Sequence, residues 1–509
     1  MRYFILVNID SDAVFVVRIL LFSTLILTYI LSVEFYYPQE NQKNANAASG
    51  IIDTDYPESA LPSSEGPIIK DTSLKAEVVF KGLTYPTGMA FLDQDDILVI
   101  EKDTGIVRRI VNGVMLQDPL LDVNVATQGH RGMLGIAVSN GISSSSPPSR
   151  SLDHEISNSN THASNTDSTK YVFLYYTATA TADGEDIIEG KQPVGNVVYR
   201  YEFVNNKLIN PKLLLDLPAT PGAIGNGGKI LLNPQDKNVY ITIGGVGING
   251  HQTKAQNIQN GKDPDGTSGI LVITQDGKEA IKNGSSILGN NKDPINKYYA
   301  YGIWNSFGID FDPITGKLWD TENGVVFGDE INLVEPGFNS GWNKIDGIWL
   351  RGYAIEDSED HAVSSQQEAN NLLVDFGGKG KYSMPEFTWF NDIGPTAIKF
   401  LNSDKLGKQY ENDIFVGDII NGNIYHFELN QQRTGLLLSS NGPLADKVVS
   451  SYDKKINEII FGNGFGGITD IQIGPEDGYP YILTFDKTQG TIYRIVPITT
   501  TTTTTAATN

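Results

Sequence analysis

The sequence predicts an all-β chain: a six-bladed β-propeller preceded by one N-terminal transmembrane (signal-anchor) helix. Three observations carry this expectation. A loose repeat of paired apolar strands recurs between residues 76 and 498. Residues that form turns are abundant, with 52 Gly and 23 Pro in the chain. One long apolar run, Ala13–Val33, stands ahead of the repeats.

Taken from the N-terminus, residues 1–12 are a short cytoplasmic segment and residues 13–33 the span, apolar except for Arg18. About 20 apolar residues suffice to cross a bilayer. Arg2 and Arg18 lie toward the N-terminal end, which leaves the rest of the chain outside. A cleaved signal segment is the competing reading, with small residues spaced for processing at Ala45–Ala48. Residues 34–75 are polar, without sustained periodicity, and read as a disordered tether.

The repeats follow, each a small residue, an alternating apolar strand, a turn and a second strand. They read PTGMAFLDQDDILVIEKDTGIVRRI from Pro86, RGMLGIAV from Arg131 rejoining at Tyr171, and GGKILLNPQDKNVYITIGG from Gly227. Three more begin at Phe307, Thr396 and Ile468. Period-two alternation with Asp/Asn/Gly/Pro turns identifies hairpins, and repetition of one hairpin phrase favours a propeller over a sandwich. Residues 141–169 are a Ser/Asn-rich stretch read as a disordered insertion, and residues 499–509 a Thr-rich tail.

Composition narrows the function. A formal charge of −22 argues against general nucleic-acid binding, which needs basic residues to neutralise phosphates. The absence of Cys excludes disulfides, thiolate metal sites and Cys nucleophiles. No G-x-S-x-G or H-E-x-x-H phrase occurs. Gly244–Gly247 follows a strand without a βαβ unit, so a dinucleotide fingerprint is unsupported. Asp263–Gly266 resembles the start of a calcium loop but lacks the later ligands, and reads as a turn.

The most informative stretch is Tyr301–Trp342, with YGIWNSFGIDF, LWDTENG, GDEIN and GFNSGW in order. Further phrases are GLTYPTGMAFL, GHRGMLGIAV and the closing GGITDIQIGPEDGYPYILTF. Together they resemble the glucose/sorbosone dehydrogenase family, soluble six-bladed propellers that oxidise sugars with pyrroloquinoline quinone (PQQ). The resemblance covers about Gly82 to Pro497. It implies sugar oxidation, PQQ as cofactor, and a catalytic His as general base. It places that base at Gly225, in Gly225-Asn226-Gly227-Gly228. The family's cationic partners of the three PQQ carboxylates fall on Trp304, Ile420, Gly467 and Thr469, and a cofactor-contacting Gln on His130. Asn305 keeps the family's Asn, so Asn305 and Trp304 mark the cofactor-binding positions. Glu330 keeps a Glu that contributes to calcium binding in some relatives.

Chemistry sets the remaining candidates. Oxidising an aldose needs a group that accepts the hydroxyl proton, and Gly225 has no side chain to do so. His130 and His251 are the candidate substitutes, each also readable as an ordinary loop His. Glu330, Asp329 and Glu322 offer the oxygen ligands a Ca²⁺ prefers, although Asp329, Glu330 and Asn332 can equally close a turn through backbone hydrogen bonds. Two principal functions follow: an exported oxidoreductase of the sugar dehydrogenase type, or a non-catalytic extracellular propeller. The latter would bind carbohydrate, protein or a cell-envelope ligand, with Trp304 and Trp342 as stacking surfaces, although both are also readable as core residues of their blade. Hydrolysis by a metal-activated water is a third reading, without a convincing catalytic set. In each case the expected location is the cell membrane, single-pass, with the propeller outside.

Overall fold

The alternating segments pair as antiparallel sheets, in a computed structural model that describes residues 61–140, 170–280, 286–351 and 361–498. The chain is an all-β propeller. Its first sheet combines Pro86–Asp93, Asp96–Glu101 and Ile106–Val111 with short edge strands. The next runs Met133–Asn140, Lys170–Ala178, Gly195–Val204 and Lys207–Leu217. Ile230–Leu232, Val239–Ile243, Gly269–Ile273 and Tyr298–Tyr301 follow, then Ser306–Phe311, Leu318–Glu322, Phe327–Val334 and Phe387–Asn391. Pro395–Phe400, Ile414–Asp418, Ile424–Phe427 and Ile460–Asn463 form another. Ile468–Ile473, Pro480–Thr484 and Gly490–Pro497 make the last, with Leu74–Leu83 at its edge.

The first strand of each sheet neighbours the first strand of the next, and Ile468–Ile473 returns to Pro86–Asp93, closing a ring. Middle strands are therefore covered on both faces. All five residues of Val239–Ile243 and of Gly269–Ile273 are buried, whereas most of the outer strand Lys207–Leu217 is exposed. Continuous Val/Ile/Leu runs suit the first environment and alternation the second. Bulky side chains such as Phe173, Tyr298, Trp319 and Phe387 fill the wedges between sheets. Lys229 Nζ lies 2.6 Å from Asp470 Oδ1, tying together two sheets that are not neighbours in the ring.

Strand Leu74–Leu83 pairs with Gly490–Pro497, so the two ends of the ring are joined by hydrogen bonds rather than by sequence. Ile68–Ile69 also pairs, with Gly462–Asn463. Residues 68–75, assigned to the tether from sequence, thus contain ladder positions, because a polar, punctuated sequence can still supply an edge strand. The insertion expected at 141–169 falls between strands paired in one register from Gly135↔Tyr175 to Asn140↔Lys170. Its own residues, like the expected span at 13–33, most of the tether and the tail, lie outside the described residues. Among the described residues no helix is long and apolar enough to cross a membrane.

Between Phe327–Val334 and Phe387–Asn391 the chain adds a small layer. It holds the ribbon Ile345–Asp346/Trp349–Leu350 and the helix Gln366–Leu372. Ser365 caps that helix by accepting the Glu368 N–H. Ile345, Val363, Ala369, Leu373 and Tyr382 form its own core.

Candidate active site

Each candidate residue near the ring axis lies just ahead of a first strand: His130 before Met133, Gly225 before Ile230, Trp304 and Asn305 before Ser306. These lead-in segments meet. The Gly225 N–H donates to His130 Nδ1 at 3.1 Å, and the His130 N–H donates to the Ala223 carbonyl at 2.8 Å. Asn305 Oδ1 accepts the Gly227 N–H at 3.0 Å. Three segments distant in sequence thus meet, with Asn305 engaged as a backbone anchor.

Gly225 has a positive φ of 71°, and a Cβ built there would stand 3.1 Å from the six-membered ring of Trp304. The same indole presses on Gly245, where a Cβ would come within 2.9 Å of it. It packs against Trp342 with ring centroids 4.4 Å apart and 37° between planes. Both Trp side chains are buried, beside Val325, so of the two roles the sequence leaves open they take the core one rather than an exposed stacking face; the pair satisfies its own apolar surface. Arg351 covers Trp342 with its guanidinium carbon 4.0 Å from the ring centroid. Gly225→His is therefore expected to cost about 1–3 kcal/mol in an unfolding titration, because overpacking and a left-handed backbone oppose it together. An unchanged midpoint would contradict this packing.

Neither substitute histidine is placed as a base. A ring nitrogen that receives a backbone N–H cannot itself carry a proton, so neutral His130 carries its proton on Nε2. His251 Nε2 lies 2.5 Å from the Thr220 carbonyl oxygen, which can only accept. Its Nδ1 lies 2.6 Å from Asp265 Oδ2. Asp265 Oδ1 accepts from the Thr267 N–H and hydroxyl, so the Asp263–Gly266 turn spends its carboxylate locally, as its sequence suggests.

The positions matched to the cofactor's cationic partners hold neutral side chains with structural contacts. Thr469 Oγ1 donates to the Pro86 carbonyl, and Ile420 lies beside Ile393 through its backbone. Nearby buried cations are already paired: Arg131 with Asp186 at 2.9 Å, Lys102 with Asp103 at 2.7 Å, Lys229 with Asp470. Three carboxylates brought here would meet no uncommitted cation among these groups.

Glu330 and Asp329 do not converge. Adjacent strand residues point to opposite faces. Asp329 accepts from the Gly324, Ile393 and Gly394 N–H groups at 2.7–2.9 Å, while Glu330 accepts from Asn332, Ser340 and the Gly347 N–H on the other face. The turn-closing reading describes Asp329. Glu330 instead shares a face with Glu322, directly across the ladder, and with Asp320 and Asn332, the next pair along. Glu322 accepts the Trp304 N–H, linking this face to the indole. Neither Asp320 oxygen, nor Glu322 Oε2, nor Asn332 Oδ1 has a well-directed partner, although Asn332 and Ser306 adjoin Asp320 and draw its carboxyl down. Burial pushes Asp320 and Asp329 up to about 7. Burial, then the neighbouring acids, raises Glu322 and Glu330 well above the carboxylate range. Among the described residues no group of three acidic or His side chains is arranged to hold a metal ion. The sequence reading missed Arg131 and Asp320; only the adjacency of Arg131 to His130 hinted at the first, and the 320/322 spacing on one strand face at the second.

A family model described as Glucose / Sorbosone dehydrogenase matches residues 160–494, well over half of the chain. Uncharacterized protein slr1608 from Synechocystis is 24% identical over 429 residues, 83% of this chain and 86% of its own length. Aldose sugar dehydrogenase YliI from Escherichia coli is 28% identical over 200 residues, 39% of this chain and 43% of that protein. The PQQ-bound form of Aldose Sugar Dehydrogenase from Streptomyces coelicolor superposes with a TM-score of 0.53 at 19% identity, covering 84% of this chain and 100% of that one. At that identity the likeness is one of fold.

Proposed function

Because this chain belongs to the glucose/sorbosone dehydrogenase family, we propose that it is a sugar-dehydrogenase-like propeller with six blades whose lead-in loops bind a carbohydrate or cell-envelope ligand without PQQ chemistry. The single observation that carries this reading is the Trp304 indole packed against Gly225. It stands at a position that the resemblance assigns to a cofactor cation and packs against the one assigned to the base. The neutral groups at Ile420, Gly467 and Thr469 support it, as does the proton on His130 Nε2. The closed circuit of first strands supports the count of six.

Calorimetric titration of PQQ into the full chain with calcium present tests this. The expected result is no binding at high micromolar PQQ and no dye reduction with aldoses. Calcium-dependent binding would overturn the reading and restore faithful sugar oxidation. That alternative has family membership behind it, and in it Glu330 with Glu322, rather than Asp329, would take the calcium.

We place the propeller outside the cell, tethered through residues 13–33, on the apolar run and its flanking Arg2 and Arg18. Protease added to intact cells should then remove the propeller, and the N-terminal segment should stay with the membrane fraction. A protected propeller would contradict this placement.

A further inference from the structure

The segment Pro218–Lys229, which carries Gly225, is held from two sides. Arg131 Nη2 donates to the Ala219 and Gly222 carbonyls at 2.8 and 3.2 Å. On the other side His251 Nε2 reaches the Thr220 carbonyl at 2.5 Å, and its Nδ1 reaches Asp265 Oδ2 at 2.6 Å. A guanidinium keeps its protons at any accessible pH, but an imidazole does not. The ring of His251 faces two acceptors, a carbonyl that never donates and a carboxylate. A neutral imidazole has one N–H and can satisfy only one of them. Both contacts together require the imidazolium.

We propose that His251 is a protonation-dependent clamp on the Pro218–Lys229 segment, closed when the ring is charged and released from Thr220 when it is neutral. Charge decides which contact is lost. The remaining proton stays on Nδ1, since a lone pair facing the Asp265 carboxylate is worse than one facing a carbonyl dipole. Nε2 then presents its lone pair to the Thr220 oxygen, and the chain at Thr220 loosens while Arg131 still holds the flanking Ala219 and Gly222 carbonyls.

The groups around the ring agree in direction. Burial and the positive charge of Lys262 act to lower the His251 pKa, but the hydrogen bond and charge of Asp265 and the Thr220 carbonyl outweigh them and raise it above 6.5. Asp265 is held below the usual carboxylate range in spite of burial, by His251 and Thr267. A His pKa raised in the folded state adds stability that is complete below the unfolded value and is lost as pH rises through the folded one. Opening therefore belongs to the neutral-to-alkaline side.

The test is ¹⁵N-histidine NMR and amide hydrogen exchange on the full chain in detergent. The His251 ring should titrate as an imidazolium with a pKa above 6.5. Protection of the Thr220–Asn226 amides, corrected for intrinsic exchange, should fall about tenfold across that titration, the loss expected for one hydrogen bond. Asp265→Asn should move the ring titration below 6.5, and His251→Gln should abolish the pH dependence of protection while leaving the Ala126–Gln128 amides, bonded to Thr177 and Asp186, unchanged. A ring neutral at pH 6 would overturn the clamp, and so would protection of the segment that ignores the His251 titration. The wild-type measurements decide the matter even if a variant fails to fold. The clamp is also independent of the ligand reading, since neither measurement uses a ligand.

Discussion

Arg131→Met is expected to destabilise the propeller by about 3–5 kcal/mol, the cost of breaking a buried ion pair from one side. The guanidinium is 3% exposed and Asp186 has no exposed side-chain surface. Arg131 supplies the charge that balances Asp186 and also caps two carbonyls of the Pro218–Lys229 segment. Without it, Asp186 keeps only the Thr127 and Gln128 N–H groups, and the Ala219 and Gly222 carbonyls lose their donor. Asp186→Asn removes the charge but keeps the shape, so about 1–3 kcal/mol is expected there. A double change to apolar residues of similar volume should recover part of the loss, because two desolvated charges leave together. Urea unfolding midpoints of the three variants provide the check. A single-variant loss below about 1 kcal/mol would show that the pair is not desolvated in solution.

How far this arrangement was legible in the sequence depended on the range of the signal. Hairpins such as Pro86–Glu101 and Ile468–Thr484 announce themselves through alternation and a turn within a few residues. The ring closure through Leu74–Leu83 did not, since its pairing partner at Gly490–Pro497 is remote and the preceding residues are polar. The meeting of Gly225 with Trp304 was legible only as two positions in separate phrases. That the small residue leaves room for the large one is a fact of packing, invisible to spacing. Trp304 and Trp342 were readable as stacking surfaces or as core residues, and the sequence could not choose, because a tryptophan in a loop phrase carries no mark of whether a second tryptophan will cover it. Glu330 and Asp329 were read together because they are adjacent in sequence, yet in a strand adjacency is what separates them. Period-two reasoning applied to Asp320, Glu322, Glu330 and Asn332 would have found the acidic face, since the GDEIN phrase was already read beside a strand.

That face yields the other large effect: stability should fall as pH rises from about 5 to 8, and Asp320→Asn should flatten the fall. Carboxyls whose pKa is raised on folding bind more protons in the native chain than in the unfolded one. For Asp320 and Asp329 this window runs from the ordinary aspartate value to about 7, and for Asp418, raised by burial, to about 6. In that window the unfolded chain releases protons the native one retains, so each pH unit costs up to about 1.4 kcal/mol per such group. Asp312 and Asp265, held low by Arg433 and His251 against their burial, act oppositely and lose their contribution only below about pH 4. Greatest stability is therefore expected in mildly acidic solution. Asp320 is the group to remove. It is fully buried, neither oxygen is well hydrogen-bonded, and an amide of the same size could donate to Asn332 Oδ1 or Glu322 Oε2. Asp320→Asn should leave stability near wild type at pH 5 and raise it by about 2 kcal/mol or more at pH 8. Asp418→Asn should behave differently, because the Asp418 carboxylate accepts from the Asn421, Gly422 and Asn423 N–H groups and from the Tyr425 hydroxyl. Thermal unfolding across pH, with calcium and then with chelator, separates the causes. A profile that is flat with calcium and falls only in chelator would mean that a cation, not protons, neutralises this face, and Asp320→Asn would then destabilise.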